Sequence, residues 1–391
     1  MSPAEVLTYA SFAILFYCYA GYGVFAWVIT SVRGLFAVKQ FPEQELPAIT
    51  LVVAAYNEAA TLPAKLANSL SLDYPAGLLQ IIFVTDGSTD GSEKMPFQHA
   101  QVRVLHQPER KGKYAAVDRA MQVITSPIVV FSDCNALLNP QSLRLLVKQF
   151  ADPRTGAVAG EKTVLPLPGS SVGQAEGLYW KYESFMKKLD SRLFTVVGAA
   201  GELFAIRASL YSPPPKPVIL DDLFISMQVC LQGYRIAYEP GAFASETPSA
   251  TLADEMKRKV RIAAGAFQAL VMLPACLNLF KYPVMAFQYI SRRVLRWAFC
   301  PLLLLVLFPA SFYGGFFGGS SFCMLLLFTQ VVCYAAAFTG WLLIKNNRKA
   351  GILTIPFYFV FMNYCMAKGF VRFITGKQSV LWERSAREVS A

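Results

Sequence analysis

The run Ile81-Ile82-Phe83-Val84-Thr85-Asp86-Gly87-Ser88-Thr89-Asp90-Gly91-Ser92 decides how the rest of the chain is read. Its opening residues are apolar without alternation, as in a strand buried on both faces. Asp86-Gly87-Ser88 breaks that strand at the end where parallel sheets keep their ligand sites. A carboxylate at a strand tip can take the edge of a base or a sugar. Asp-Gly is also a common turn, so the pair draws its meaning from its companions. Upstream stands Val52-Val53-Ala54-Ala55-Tyr56-Asn57-Glu58; downstream follow Lys111-Gly112-Lys113 and Val129-Val130-Phe131-Ser132-Asp133-Cys134-Asn135. Both strand-like companions end in acidic or amide residues, so several strand tips would converge on one crevice.

Hydrophobic residues make up 55% of the 391-residue chain and charged residues 16%. The first figure is too apolar for a soluble domain and the second too polar for membrane spans alone, so an α/β domain carrying a few membrane helices is expected. The net charge of +11 could serve nucleic acid, but Arg292, Arg293, Arg296, Lys345, Arg348 and Lys349 flank apolar segments. Membrane-flanking cations are the simpler reading. The eight cysteines form no Cys-x-x-Cys pair, which speaks against zinc and against a disulfide framework and fits a reduced, cytosolic domain. No charge interrupts residues 6–32, long enough for an uncleaved spanning helix, and Arg33 and Lys39 put its positive end in the cytosol.

Taken in this order, the motifs resemble the membrane-bound branch of the inverting family 2 glycosyltransferases over about residues 47–264. The resemblance implies a GT-A nucleotide-sugar domain, a Rossmann-like mixed α/β sheet flanked by transmembrane and interfacial helices. On that reading residues 1–40 are a transmembrane helix and 41–264 the cytosolic catalytic domain. Residues 265–297 are amphipathic interface helices, 298–375 membrane segments and 376–391 a cytosolic tail. The protein would be integral to a bacterial inner membrane. It would take a nucleoside diphosphate sugar, UDP-linked, with Mg²⁺ or Mn²⁺, and pass the sugar to a lipid-linked saccharide or polysaccharide.

Site residues carry over position by position. Tyr56, Asn57 and Glu58 would contact the base, and Asp86 the uracil or ribose; Asp90 would stabilise its own turn. Lys113 follows a glycine at a helix start, where charge and free N–H groups can hold a diphosphate. Asp133 stands where the family holds its metal, with Asn135 in place of the second acid of Asp-x-Asp; Mg²⁺ needs few protein ligands. Gly201 and Glu202 match the acceptor segment. Asp221 and Asp222 could merely complement a helix dipole, but they match the catalytic-base motif, with Asp222 as the base. Both histidines, His99 and His106, fall outside the motifs, so a carboxylate base is natural. In the Gln-x-x-Arg-Trp position the chain has Arg258 to Ile262 and keeps only Arg261; Arg258 and Arg261 could clamp the diphosphate.

Toward the C-terminus, residues 262–280 and 284–297 read as amphipathic helices in the membrane interface. Residues 297–344 carry no charge and read as a hairpin of two spans turning near Gly314 to Gly319. Residues 350–367, broken by Pro356, read as a tilted or re-entrant segment that returns the tail to the cytosol. Trp382-Glu383-Arg384 is similar to the Trp-Gly-Thr-Arg tail of polymer synthases in that family. Two other functions compete: a polyprenyl-phosphate sugar synthase, whose ionised acceptor needs no base, and a catalytically silent membrane scaffold or lipid transporter.

Overall fold

The computed structural model describes residues 1–34, 45–94, 99–165, 171–215, 217–346, 348–379 and 381. Residues 41–44 of the linker, the Trp382-Glu383-Arg384 motif and most of the expected tail lie outside the described residues.

The strands are β1 (Ile49–Ala55), β2 (Leu79–Asp86), β3 (Val102–Gln107), β4 (Ile128–Asp133), β5 (Leu137–Leu138), β6 (Thr155–Val164), β7 (Phe204–Arg207) and β8 (Arg235–Glu246). They form one sheet in the order β3-β2-β1-β4-β7-β6-β8-β5. The half made of β3, β2, β1 and β4 is parallel. β7 runs antiparallel to β4 and β6, which makes the sheet mixed. Every residue of β1 is buried, because helices cover both faces and leave no solvent side to reward alternation. One face packs on a core with Val52, Ile82 and Phe131, the other on a core with Leu51, Phe83 and Val130. Ala54 pairs with Asp133 and Ala55 with Thr85, so the tips of β1, β2 and β4 end level with one another. That shared edge is the crevice the sequence called for.

Among the described residues, three helices are long and apolar enough to cross a membrane: Pro3–Val32, Pro283–Phe316 and Ser321–Lys345. The last two form the expected hairpin, turning through Gly318 and Gly319. Elsewhere the expectation needs correction. Residues 284–297 are not a separate interface helix; they run without a break through a wider-turned stretch, Ile290–Phe299, into the span. Nor are their arginines lipid-facing cations. Arg292 is 4% exposed and bonds Glu183 at 3.0 Å and Asp190 at 2.9 Å, and Arg296 also pairs with Glu183. Glu183 and Asp190 lie on the helix Ser171–Leu193, and Tyr22 of the first apolar helix donates to Asp190 at 2.5 Å. One buried ionic knot therefore ties the α/β domain to two of the long apolar helices. A bare buried charge is far costlier than a paired one, so these partners hold each other in place.

The helix Leu252–Met272 contains the expected domain boundary at residue 264 without interruption. Against it packs the helix Thr354–Ile374, with Gly369 pressed so closely on Ala263 that a Cβ there would lie 2.3 Å away. Pro356 does not break this helix; it stands in the first turn, where no N–H is required.

Candidate active site

Loops at the level strand tips are stitched together by side chains. Asn57 adopts a left-handed φ of 52°, and its Oδ1 accepts the Thr89 N–H at 2.8 Å while its own N–H donates to Ser88 Oγ at 3.1 Å. The Glu58 N–H donates to Ser92 Oγ at 3.0 Å, and Asp90 accepts the N–H groups of Ala59 and Ser92. The turns after β1 and β2 thus form one unit, with Asp90 in the turn-holding role expected of it. Tyr56 stacks under the Arg110 guanidinium, 3.7 Å from the ring centre. Asp86, expected at the ribose or uracil, is fully buried and accepts the N–H groups of Lys111 and Gly112 at 3.1 and 2.7 Å. Its carboxylate therefore holds the Lys111-Gly112-Lys113 turn. Gly87 is obligatory there: its φ is +66°, and a Cβ would meet the Arg110 backbone at 2.9 Å.

That turn aims Lys113 across the crevice. Its ammonium pairs with Asp133 Oδ1 at the tip of β4. Burial alone would lower the lysine's pKa, but Asp133, Asp221 and Asp222 together raise it well above the ordinary value. Asp221 and Asp222 open the helix Asp221–Leu231. Burial, then the charge of Asp221, push Asp222 up to about 7 against the pull of Lys113 and of the Leu223 N–H, which donates to it at 2.8 Å. Gly201 leaves the meeting point open. A Cβ built on it would lie 2.8 Å from Lys113 Nζ, 3.4 Å from Asp222 Oδ2 and 3.7 Å from Asp133 Oδ1.

Arg261, on the helix Leu252–Met272, overlooks the same acids. Burial lowers its pKa while Asp221, Asp133 and Asp222 oppose the shift. It hydrogen-bonds none of the described residues, nor does the side chain of Asn135 or Asp133 Oδ2. The described residues contain no group of three or more His, Cys, Asp or Glu side chains placed to hold a metal by themselves. A hard divalent cation that also takes diphosphate oxygens and waters needs no such group, and the unbonded oxygen of Asp133 fits that demand.

Two expected contacts do not join this cluster. Glu202 turns away from Gly201 into a buried pair with Lys162, which reaches it at 2.5 Å and Glu246 at 2.7 Å. Burial would raise the Glu202 pKa, but Lys162 overcomes that and holds it well below the usual carboxylate range. Arg258 is spent on Glu176 and on Glu255, the latter at 2.9 Å. Sequence reasoning missed these acids and Lys162, whose partners come from distant strands and helices with no motif to connect them.

Toward the spans, a cavity of about 390 Å³ lies among Tyr19, Tyr179, Tyr182, Trp297, Tyr358 and Phe359. Arg293 connects it to the crevice. Its guanidinium covers the Trp297 ring at 4.9 Å, and its Nε donates to Val197 O at 2.8 Å, on the segment that leads to Gly201.

A family model described as glycosyltransferase like family 2 matches residues 47–265. The chain is similar to the poly-beta-1,6-N-acetyl-D-glucosamine synthase of Staphylococcus aureus, 26% identical over 238 residues, covering 58% of this chain and 56% of that protein. The Staphylococcus epidermidis synthase of the same name is 23% identical over 266 residues, with 63% of each covered. The chain thus spans little more than half the length of the curated relatives it matches. Among solved structures, the mannosyltransferase PcManGT from Pyrobaculum calidifontis, in complex with GDP-Man and Mn²⁺, superposes with a TM-score of 0.71 at 22% identity, covering 96% of this chain and 99% of that one.

Proposed function

The chain belongs to the glycosyltransferase-like family 2 and is a transferase with a GT-A fold, and from that premise we propose an inverting transfer from a UDP-sugar to a hydroxyl of a membrane-presented acceptor. One observation carries the reading: Lys113, Asp133 and Asp222 converge on the gap left by Gly201, at the edge where the strand tips end level. The similarity to poly-N-acetylglucosamine synthases makes UDP-N-acetylglucosamine the first donor to test.

The chemistry divides between two sides of that gap. On the donor side, Lys113 and Arg261 hold the diphosphate by charge, and Asp133 with Asn135 faces it from the tip of β4. Mg²⁺ or Mn²⁺ held by Asp133 would offset the charge growing on the leaving diphosphate. On the acceptor side, the Asp222 carboxylate takes the hydroxyl proton as the oxygen bonds to the anomeric carbon. The bond from that carbon to the diphosphate oxygen breaks on the opposite face, so configuration inverts. A carboxyl poised near neutrality suits this exchange, because it accepts a proton readily yet stays ionised often enough to act. It also argues against a phosphate acceptor, which needs no base. The aromatic cavity beside Trp297, one arginine away from the crevice, suits an acceptor delivered from the membrane side. The apolar helices, with Arg33 and Lys39 near the end of the first, support a catalytic domain on the cytosolic face of a bacterial inner membrane.

The test is nucleoside diphosphate release by the purified full chain with a panel of UDP- and GDP-sugars, joined to mass spectrometry and anomeric NMR of the product. Release with a UDP-sugar and an inverted linkage supports the reading. Release with GDP-sugars alone overturns the donor assignment, and a retained configuration overturns the mechanism.

A further inference from the structure

Lys65 sits in the helix Leu62–Leu70 and is wholly buried, beside a hydrophobic core that includes Leu62, Cys134, Ala136, Leu138 and Leu143. Taking an ammonium out of water is expensive, and a methionine would fill the same space without that cost. Among the described residues no carboxylate lies within salt-bridge distance of it, so ion pairing does not explain the charge. Its contacts do. The Nζ donates to Ser132 Oγ at 2.7 Å and to Ala136 O at 2.5 Å, the residues just before and just after Asp133-Cys134-Asn135. Ser132 Oγ passes the connection on to Glu202 O at 3.0 Å, next to Gly201.

We propose that Lys65 is a positioning residue for donor binding. It clamps both shoulders of the Asp133–Asn135 turn and, through Ser132, locks that turn to the Gly201 segment. The inference rests on the donor-site reading above and extends it to a residue that touches no substrate. The two segments are 70 residues apart in sequence, and each carries one wall of the gap. A single buried cation holds both, so the geometry at Asp133 is fixed before any ligand arrives. Burial pushes the lysine's pKa down to about 8, the expected cost of keeping a charge there for its hydrogen bonds. Outer partners of this kind usually govern metal affinity by about 10- to 100-fold, although they make no bond to the metal.

The test uses the full chain in detergent. Free Mn²⁺ is followed by electron paramagnetic resonance as it is titrated with UDP present, alongside UDP binding without metal, turnover and thermal melting. Lys65→Met is expected to raise the Mn²⁺ half-saturation at least ~10-fold while leaving metal-free UDP binding unchanged. Ser132→Ala, which cuts the link to Glu202, should shift it in the same direction. Asn68→Ala serves as the control: this neighbour on the same helix exchanges hydrogen bonds with the Leu138 backbone, at 2.8 and 2.9 Å, and should lower the melting temperature alone. A folded Lys65→Met protein whose Mn²⁺ half-saturation stays within about twofold of the parent would overturn the proposal, as would an equal shift in Asn68→Ala. If Lys65→Met does not fold, Ser132→Ala decides by the same criterion. A parent protein that binds no Mn²⁺ with UDP would sink the donor-site reading itself, a distinguishable failure.

Discussion

Asp222→Asn is the perturbation that bears hardest on the mechanism. The amide keeps the shape of the side chain and an oxygen for the Leu223 N–H, but it cannot take the acceptor's proton. Positioned base catalysis is typically worth about 10²- to 10⁴-fold, so turnover should fall by that order, about 3 to 5 kcal/mol on the barrier. Donor binding should persist, because Asp133, Lys113 and Arg261 remain. The pH profile supplies a second, independent magnitude. With Asp222 at about 7, the ionised fraction rises roughly tenfold between about pH 6 and pH 8, and kcat/KM of the parent should rise with it. In the variant that inflection should vanish. Stability moves the other way. The folded pKa lies above the unfolded one, so the protonated carboxyl stabilises the fold at low pH, and that contribution is lost as pH rises through about 7. The parent's melting temperature should therefore decline more steeply than the variant's as pH rises toward about 7, and run parallel to it above. The assay is nucleoside diphosphate release from about pH 5.5 to 8.5, with UDP-sugar titration and melting curves on the same preparations. Near-parent turnover in Asp222→Asn, an unchanged inflection, or collapse confined to Asp221→Asn would refute the assignment.

Asp133→Ala should abolish metal-dependent UDP binding and lower kcat/KM, and chelator treatment of the parent should do likewise; full activity in excess chelator would remove the metal from the mechanism. Gly201→Ala places a methyl group 2.8 Å from Lys113 Nζ. Since the end of a flexible side chain can retreat, the protein should fold normally while its donor KM rises, which titration against initial rate will show. Arg258→Met leaves Glu176 buried without its paired cation and Glu255 with only Lys259 at 3.5 Å, a loss of about 3–5 kcal/mol. Its melting temperature should drop sharply with donor KM in the surviving fraction unchanged, and a selective rise in KM would return Arg258 to the donor site.

Much of the crevice was legible because its parts are local. β1, β2 and β4 are apolar runs that end in polar residues, and their level tips follow from parallel pairing once the runs are recognised. What stayed hidden depends on contacts between distant segments. Glu202 sits beside an acceptor-like glycine, yet its partner Lys162 lies on β6, far away in sequence. Arg292 and Arg296 among apolar residues look the same whether they face lipid headgroups or buried acids; only the packing of the helix Ser171–Leu193 decides. Lys65 did leave a trace. It shares the inward face of its helix with Leu62 and Ser69, where a solvent-facing lysine does not belong.

The ionic knot also constrains how the protein can be handled and made. Its members come from residue 22, from residues 183 and 190, and from residues 292 and 296, so it cannot close until most of the chain has left the ribosome. Until then Glu183 and Asp190 wait on their helix without Arg292 and Arg296. A catalytic domain cut free of its spans would retain those acids in water and lose the lock that sets its orientation. Soluble fragments ending before residue 283 should accordingly express as poorly behaved domains even where every donor-site residue is present.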